Sequence, residues 1–386
     1  MRIRLAATLV AGLIVSTVAA PLAQKAAAPP AKKNPLLKPK NPLLKLAEPW
    51  PSEEVVQATR VAADSRRLFR DIDPLTFTLT ADFSAVNKER NPDNKRLFPA
   101  VLTVEDARGP QDVPVKIGSR GHFRLMTRNC DFVPIRVEFP RRGETAGTLF
   151  EAQTSLKLGT HCRTDREYDN YTLREYLTYR LFNLVTPLSF RARLARASYV
   201  DAKTKTTIAG RYAILIEHEN DVARRFGGRI VELPRMVFDD LDAATLTRMM
   251  LFEYMIGNTD FSIWALHNVR IVQDRNRTLY PVPYDFDLSG LVHAPYATPD
   301  PRIGIRTVLD RLYRGPCRTL DQFDEAAQSF RAKRDDMFTL LDSMKDLQPL
   351  ARGEARHYLE GFFHSIERPD SIRRQLVSNC KPQPTM

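Results

Sequence analysis

Four polar side chains, Asp260, Asn268, Asp285 and Asp287, fall within one stretch from Phe252 to Gly290, FEYMIGNTDFSIWALHNVRIVQDRNRTLYPVPYDFDLSG. A helical pattern ends at Gly257-Asn258, a loop carries Asp260, and His267-Asn268 opens an apolar strand. A polar turn centred on Asn276-Arg277 then returns the chain through a second strand to Tyr284-Asp285. A two-residue turn there sets Asn268 opposite Asp285, and partners across a ladder lie about 5 Å apart. An amide oxygen beside a carboxylate suits Mg²⁺, which takes hard oxygen ligands and keeps water and phosphate in its other positions. Asp260, in the loop just before, is placed to accept a proton from an attacking hydroxyl. Asp287 lies two residues on and on the same face as Asp285 if the strand continues. The same residues also have a plainer use, because Asp and Asn end helices and cap turns.

The elements that must position these residues change character along the chain. Ser52-Glu53-Glu54 opens a helical pattern to about Phe69, with its acids where the helix dipole favours them. From Leu75 the period becomes two, and the segments near 75–83, 98–106, 113–119, 132–139 and 148–158 read as short strands. One helix interrupts them, Thr172 to Val185, with Leu173, Leu177, Leu181 and Leu184 at helical spacing. Strand patterns return at 193–201 and 208–217, and after Glu219 the chain reads as helices (220–226, 239–256, 319–345 and 347–366) apart from the hairpin. The expected fold is α+β and two-lobed, protein-kinase-like: a β-rich N-terminal lobe with one long helix over 52–219, and a mainly helical C-terminal lobe over 220–386.

The order GNTD, HN, apolar strand and PYDFD resembles the CotH (spore coat protein H) kinase family, over roughly residues 110 to 295. The resemblance implies a Mg²⁺-dependent phosphoryl transfer from ATP or another nucleotide to a protein or cell-envelope hydroxyl. In it Asp260 matches the catalytic Asp, Asn268 the metal-binding Asn, and Asp285 of Asp285-Phe286-Asp287 the metal-binding Asp. Asp287 stands where the common kinase motif has Gly, so by the resemblance either Asp285 or Asp287 could be the principal ligand. By the same resemblance Lys157, in a Leu-Lys-Leu strand, and Glu175, in the long helix, would pair to hold the phosphates, and Glu217 would sit near the hinge between lobes. No Gly-x-Gly-x-x-Gly loop accompanies them. Gly118-Ser-Arg-Gly121 is a faint substitute, whose Arg120, with Arg124, could add charge for phosphate.

Charge and termini bound the remaining choices. A formal charge of +12 favours anionic partners or surfaces, and no finger, RNP or helix-turn-helix signature points to specific nucleic acid. Arg2 and Arg4, an apolar run from Leu5 to Ala20 and small residues before Pro21 form a signal peptide over 1–23. The run is shorter than the roughly 20 residues of a spanning helix. A Pro- and Lys-rich linker follows over 24–51, so a secreted or periplasmic monomer is expected. Four cysteines in an exported chain read as disulfides, Cys130–Cys162 and Cys317–Cys380, each within one half of the chain. Two other functions compete with phosphoryl transfer. One is an exported pseudokinase or structural envelope protein that holds anionic partners. The other is a metal-assisted hydrolase or carboxylate-pair glycosidase built on Asp260 with Asp285 or Asp287. Mass spectrometry of the exported protein should find the mature N-terminus between Val18 and Gln24. Membrane-bound material still beginning at Met1 would overturn the cleavage.

Overall fold

The computed structural model describes residues 46, 48–94, 96–106, 109–140 and 144–382. The expected signal peptide, its cleavage point and most of the expected linker lie outside them. Helix α1 (Glu53–Asp64) begins with the Ser52 hydroxyl accepting from the Val55 N–H. The chain then enters strand β1 (Leu75–Ala81), in which Leu75, Phe77, Leu79 and Ala81 are all buried on one face. That period of two is what a strand with one face on a core requires.

After the short helix α2 (Phe83–Lys88), strands β2 (Phe98–Asp106), β3 (Gly109–Ser119), β4 (Ile135–Glu138) and β5 (Ser155–Gly159) pair in succession, all antiparallel. Helix α3 (Tyr168–Val185) leads to β6 (Ala192–Asp201) and β7 (Thr207–Ile216). β7 pairs with both β5 and β6, and β6 pairs in parallel with β1, Leu75 facing Ala195. The result is a closed barrel in the order β1-β2-β3-β4-β5-β7-β6.

This closed mixed barrel overturns the two-lobed kinase-like expectation. The parallel β1–β6 contact joins segments far apart in sequence, which local periodicity cannot see. Nor do the two hydrophobic cores divide the chain at residue 219. Leu173, Leu177, Leu181 and Phe182 of α3, read as part of the β-rich half, pack into one core with the helices that follow. β7 serves both cores at once: Ala213 and Leu215 fill the barrel, while Ile214 and Ile216 join the helical core.

Beyond β7 come α4 (Glu219–Arg225), the short strand β8 (Arg229–Val231), α5 (Ala243–Ile256) and the hairpin β9 (Val269–Gln273) and β10 (Leu279–Pro283), which forms a three-stranded sheet with β8. Helices α6 (Leu320–Arg331), α7 (Arg334–Ser343), α8 (Pro349–Ile366) and α9 (Pro369–Gln375) complete the body. The single helix expected over 319–345 is two, parted at Ala332 and Lys333. Both expected disulfides are formed, Cys130–Cys162 and Cys317–Cys380. Among the described residues no helix is long and apolar enough to cross a membrane.

Barrel closure has a local signature. Hydrogen exchange should find all amides of β1 protected, because the strand has a paired neighbour on each side. Alternate fast and slow amides along 75–81 would mean an open edge and would rule out closure.

Candidate functional site

Helix α5 stops where Gly257 turns into the left-handed region at φ 65°. A Cβ there would overlap the Tyr358 hydroxyl, so glycine is required both by the backbone and by the close approach of α8. Asn258, buried, then accepts from the Asp260 N–H at 3.0 Å. Ser262 and His267 exchange backbone hydrogen bonds of 3.1 and 3.0 Å, folding the segment after Asp260 into a tight loop. The Asn268 amide nitrogen donates to the Asp260 carbonyl at 2.7 Å and to its carboxylate at 3.0 Å, and His267 Nε2 lies 3.2 Å from the other carboxylate oxygen. This contact with Asp260 raises the His267 pKa against the opposing effect of burial.

The hairpin mouth differs from expectation by one residue. Arg277 adopts φ 66° and its N–H donates to the Asp274 carbonyl, while Thr278 donates to the Asp274 side chain and Asp274 N–H to the Thr278 carbonyl. The loop therefore has three residues rather than two, a form that places one residue in the left-handed region. Pro283 faces Val269, and Tyr284 donates its N–H to the Asn268 carbonyl at 3.0 Å. Asn268 is thus opposite Tyr284, and Asp285 lies one residue further on. Both Asn268 and Asp285 hold positive φ, 54° and 67°, which turns their side chains out of the regular ladder. Tyr179 of α3 fixes the second of them by accepting the Asp285 N–H at 3.0 Å.

Asp260, Asn268, Asp285, Asp287 and Lys157 all line one cleft of about 670 Å³. Asp287 is buried, and its pKa is pushed up to about 7 by burial and by the Asp285 charge. Glu175, equally buried on α3, is pushed up to about 8 by burial and by Asp287 and Asp285. Burial disfavours the charge on Arg124, but Tyr296, Asp287, Glu175 and Asp285 together outweigh that and raise its pKa. The Tyr296 hydroxyl is 3.4 Å from Asp287 Oδ2, and its ring touches that of Phe123. The barrel loop 120–126 and the helical body therefore meet over the acidic cluster.

Lys157 reaches the cleft from β5, with Nζ 3.2 Å from Glu219 and 4.1 Å from the centre of the Tyr284 ring. Burial lowers its pKa to about 8, aided by Arg120 and Arg270 and opposed by Glu219 and Asp285. Its ion-pair partner is thus Glu219, at the start of α4, and not Glu175, which faces the other carboxylates. Glu217 lies outside the cleft altogether. Its side chain is fully buried and accepts five hydrogen bonds, two from the Arg191 guanidinium at 3.0 and 2.8 Å, two from the Arg225 guanidinium at 2.9 Å and one from the Arg191 N–H at 3.0 Å, so it joins elements of the wall rather than facing a ligand. Gly118 is a regular ladder residue opposite Arg136, and only Gly121, at φ 83°, belongs to the loop that brings Arg120 and Arg124 to the cleft.

Sequence reasoning missed Glu219, Arg270, Tyr284, Tyr179 and Tyr296. Glu219 carried a faint signal, since it closely follows the strand AILIE and opens a helix. Tyr179 and Tyr296 carried none, because their roles depend on packing between distant elements. Among the described residues no group of three or more His, Cys, Asp or Glu is arranged to hold a metal ion alone. Neither the family models nor the curated proteins searched match this chain.

The position of Glu217 has a measurable consequence. Glu217→Ala leaves Arg191 and Arg225 facing an empty acceptor and should destabilise the fold by about 3–5 kcal/mol. Ligand binding in the cleft, assayed well below the unfolding temperature, should stay within about twofold of wild type. Normal stability with lost binding would return Glu217 to the site.

Proposed function

We propose that the protein is a Mg²⁺-dependent phosphotransferase, acting outside the cytoplasm, that moves a phosphoryl group from ATP or another nucleotide to a hydroxyl on a protein or cell-envelope acceptor. The reading follows the CotH-like order of Asp260, Asn268 and Asp285 but does not borrow a kinase fold. The observation that carries it is the charge layout of one cleft. Asp285 and Asp287, with Glu175 behind them, meet a wall that carries Arg120, Arg124, Lys157 and Arg270. Hard oxygen donors facing a cationic wall match a phosphate chain with its counter-cation.

The chemistry of the donors supports magnesium. Burial first, and then the neighbouring carboxylates, raise the Asp287 and Glu175 pKa values to about 7 and 8, and a divalent cation would favour their charged forms. Asp285, Asp287 and the Asn268 amide oxygen, left over when its nitrogen bonds Asp260, would hold the ion. When bound, Mg²⁺ would neutralise charge on the transferring group. The protein's own groups do the rest. Asn268 and His267 orient the Asp260 carboxylate, which takes the proton of the acceptor hydroxyl as its oxygen forms the new bond to phosphorus. The bond from phosphorus to the leaving nucleotide breaks, and its charge is met by Lys157 and Arg120. Export of the chain is supported by its two disulfides, which persist in oxidising compartments.

One observation favours a second reading. Arg124 already sets a fixed positive charge among Glu175, Asp285 and Asp287, so a pseudoenzyme holding anionic partners could keep the cluster without a metal. Calorimetry of nucleotide binding with and without Mg²⁺, followed by transfer assays, separates the two. Asp285→Asn should weaken Mg²⁺-dependent binding by about tenfold or more, since a neutral amide replaces a charged ligand. Asp260→Asn should bind nucleotide nearly normally and transfer about 10²–10⁴ times more slowly. Absence of nucleotide binding by wild type, or equal binding by all three proteins, would favour the pseudoenzyme.

A further inference from the structure

The loop after Asp260 has a second face. Asp260 and His267 line the cleft, whereas Phe261, Ile263 and Trp264 turn away from it into a separate groove of about 340 Å³. The groove's floor is apolar, with Met236, Phe238, Phe261 and Ile263 all buried. Trp264 forms one wall and is 37% exposed, the only aromatic residue among the exposed large apolar side chains of the described residues. The rim is cationic. Lys381 and Arg314 line it, Arg314 standing 5.3 Å over the Phe261 ring and bonded to the Thr259 and Phe261 carbonyls, while Arg235, just outside the lining, lies 5.1 Å from the centre of the Trp264 ring. Arg302 also lines the groove but is matched by Asp300. Among the described residues no Asp or Glu lines it. Lys381 is held in place by its backbone bond to Gly315 at 2.9 Å and by the neighbouring Cys317–Cys380 bridge.

We infer that this groove docks an acidic polypeptide segment through one bulky apolar side chain. The apolar floor supplies the anchor pocket, and Lys381 and Arg314 on the rim, with Arg235 beside Trp264, favour carboxylates next to the anchor. A glycan fits less well, because the buried floor of Met236, Phe238, Phe261 and Ile263 offers its hydroxyls no polar partner. Phe261 directly follows Asp260 in the chain, so a docked segment brings its neighbouring residues to the edge of the cleft. The groove is the acceptor-docking site if the phosphotransferase reading holds. Its binding chemistry does not depend on that reading.

The test is fluorescence anisotropy on the full mature protein, without nucleotide, using a labelled synthetic peptide in which Phe is flanked by Asp and Glu and followed by Ser. The peptide should bind, and replacing its Phe by Ser or its acids by amides should weaken binding about tenfold or more. Trp264→Ala should cause a similar loss. Lys381→Glu, an exposed change that spares the fold, should cause a severalfold loss that shrinks as salt is added. Indifference to the peptide's Phe or acids, indifference to both variants, or tighter binding of an acidic oligosaccharide would each overturn the inference. Peptide binding without nucleotide binding would leave the groove standing and remove the phosphotransferase reading. Nucleotide binding without peptide binding would do the reverse.

Discussion

The alternation of side chains along β7 is the constraint on which the rest of this structure depends. Ala213 and Leu215 point into the barrel, while Ile214 and Ile216 pack against the helices. A strand with both faces buried cannot slip by one residue without exchanging the contents of two cores, so its register is strongly fixed. β5 is paired to it, with Lys157 opposite Ile216, and this pairing fixes where Lys157 meets the cleft. β7 ends at Ile216, and Glu217, His218 and Glu219 follow at once. Glu217 is locked between Arg191 and Arg225, and Glu219 is presented to Lys157. One shared wall therefore sets both the fold and one side of the candidate site.

The other side of the site is set by repulsion that the fold tolerates. Three carboxylates from α3 and the segment after β10 converge in a poorly solvated place, and burying like charges is unfavourable unless they are neutralised, protonated or paired. Two of them respond by rising in pKa, and Arg124 supplies a counter-charge from the barrel loop. That loop is restrained by the Cys130–Cys162 bridge and by a bond from Arg124 to the Thr160 carbonyl. A cluster that served stability alone would be better replaced by apolar packing, since buried ionic groups often return less than they cost. Their presence at the edge of an open cleft is more easily understood as a demand of a ligand than as a demand of the fold.

Much of the local structure was legible in the sequence, because it follows from periodicities of two and 3.6 and from breakers such as Gly257. The disulfide pairing was legible too, from the division of the four cysteines between the halves. What was not legible follows a pattern. The β1–β6 closure, the Lys157–Glu219 pair and the Tyr179–Asp285 bond all join residues whose proximity is decided by packing at long range. The hairpin register failed for a smaller reason, because a polar turn does not show whether it has two residues or three. Asp274 binds its own loop through side chain and backbone, and that capture draws Arg277 into the left-handed region.

The convergence of Asp260, Asn268 and Asp285 bears on whether Asn and Asp stand in these positions only as turn formers. Asn268 and Asp285 both have positive φ, a conformation in which these residue types are enriched for reasons of backbone alone. Backbone preference accounts for the residue types but not for the direction of the side chains. Asn268 directs its amide across the base of the loop to the Asp260 carbonyl and carboxylate, so it orients a cleft-lining carboxylate as well as closing the loop. Asp285 has its backbone N–H satisfied by Tyr179 and lines the cleft near Lys157. In these places the left-handed conformation turns both side chains into one cleft, and a fully buried tyrosine from helix α3 holds the backbone of one of them. Strain of this kind persists where the surrounding structure over-determines it, as is characteristic of sites that bind.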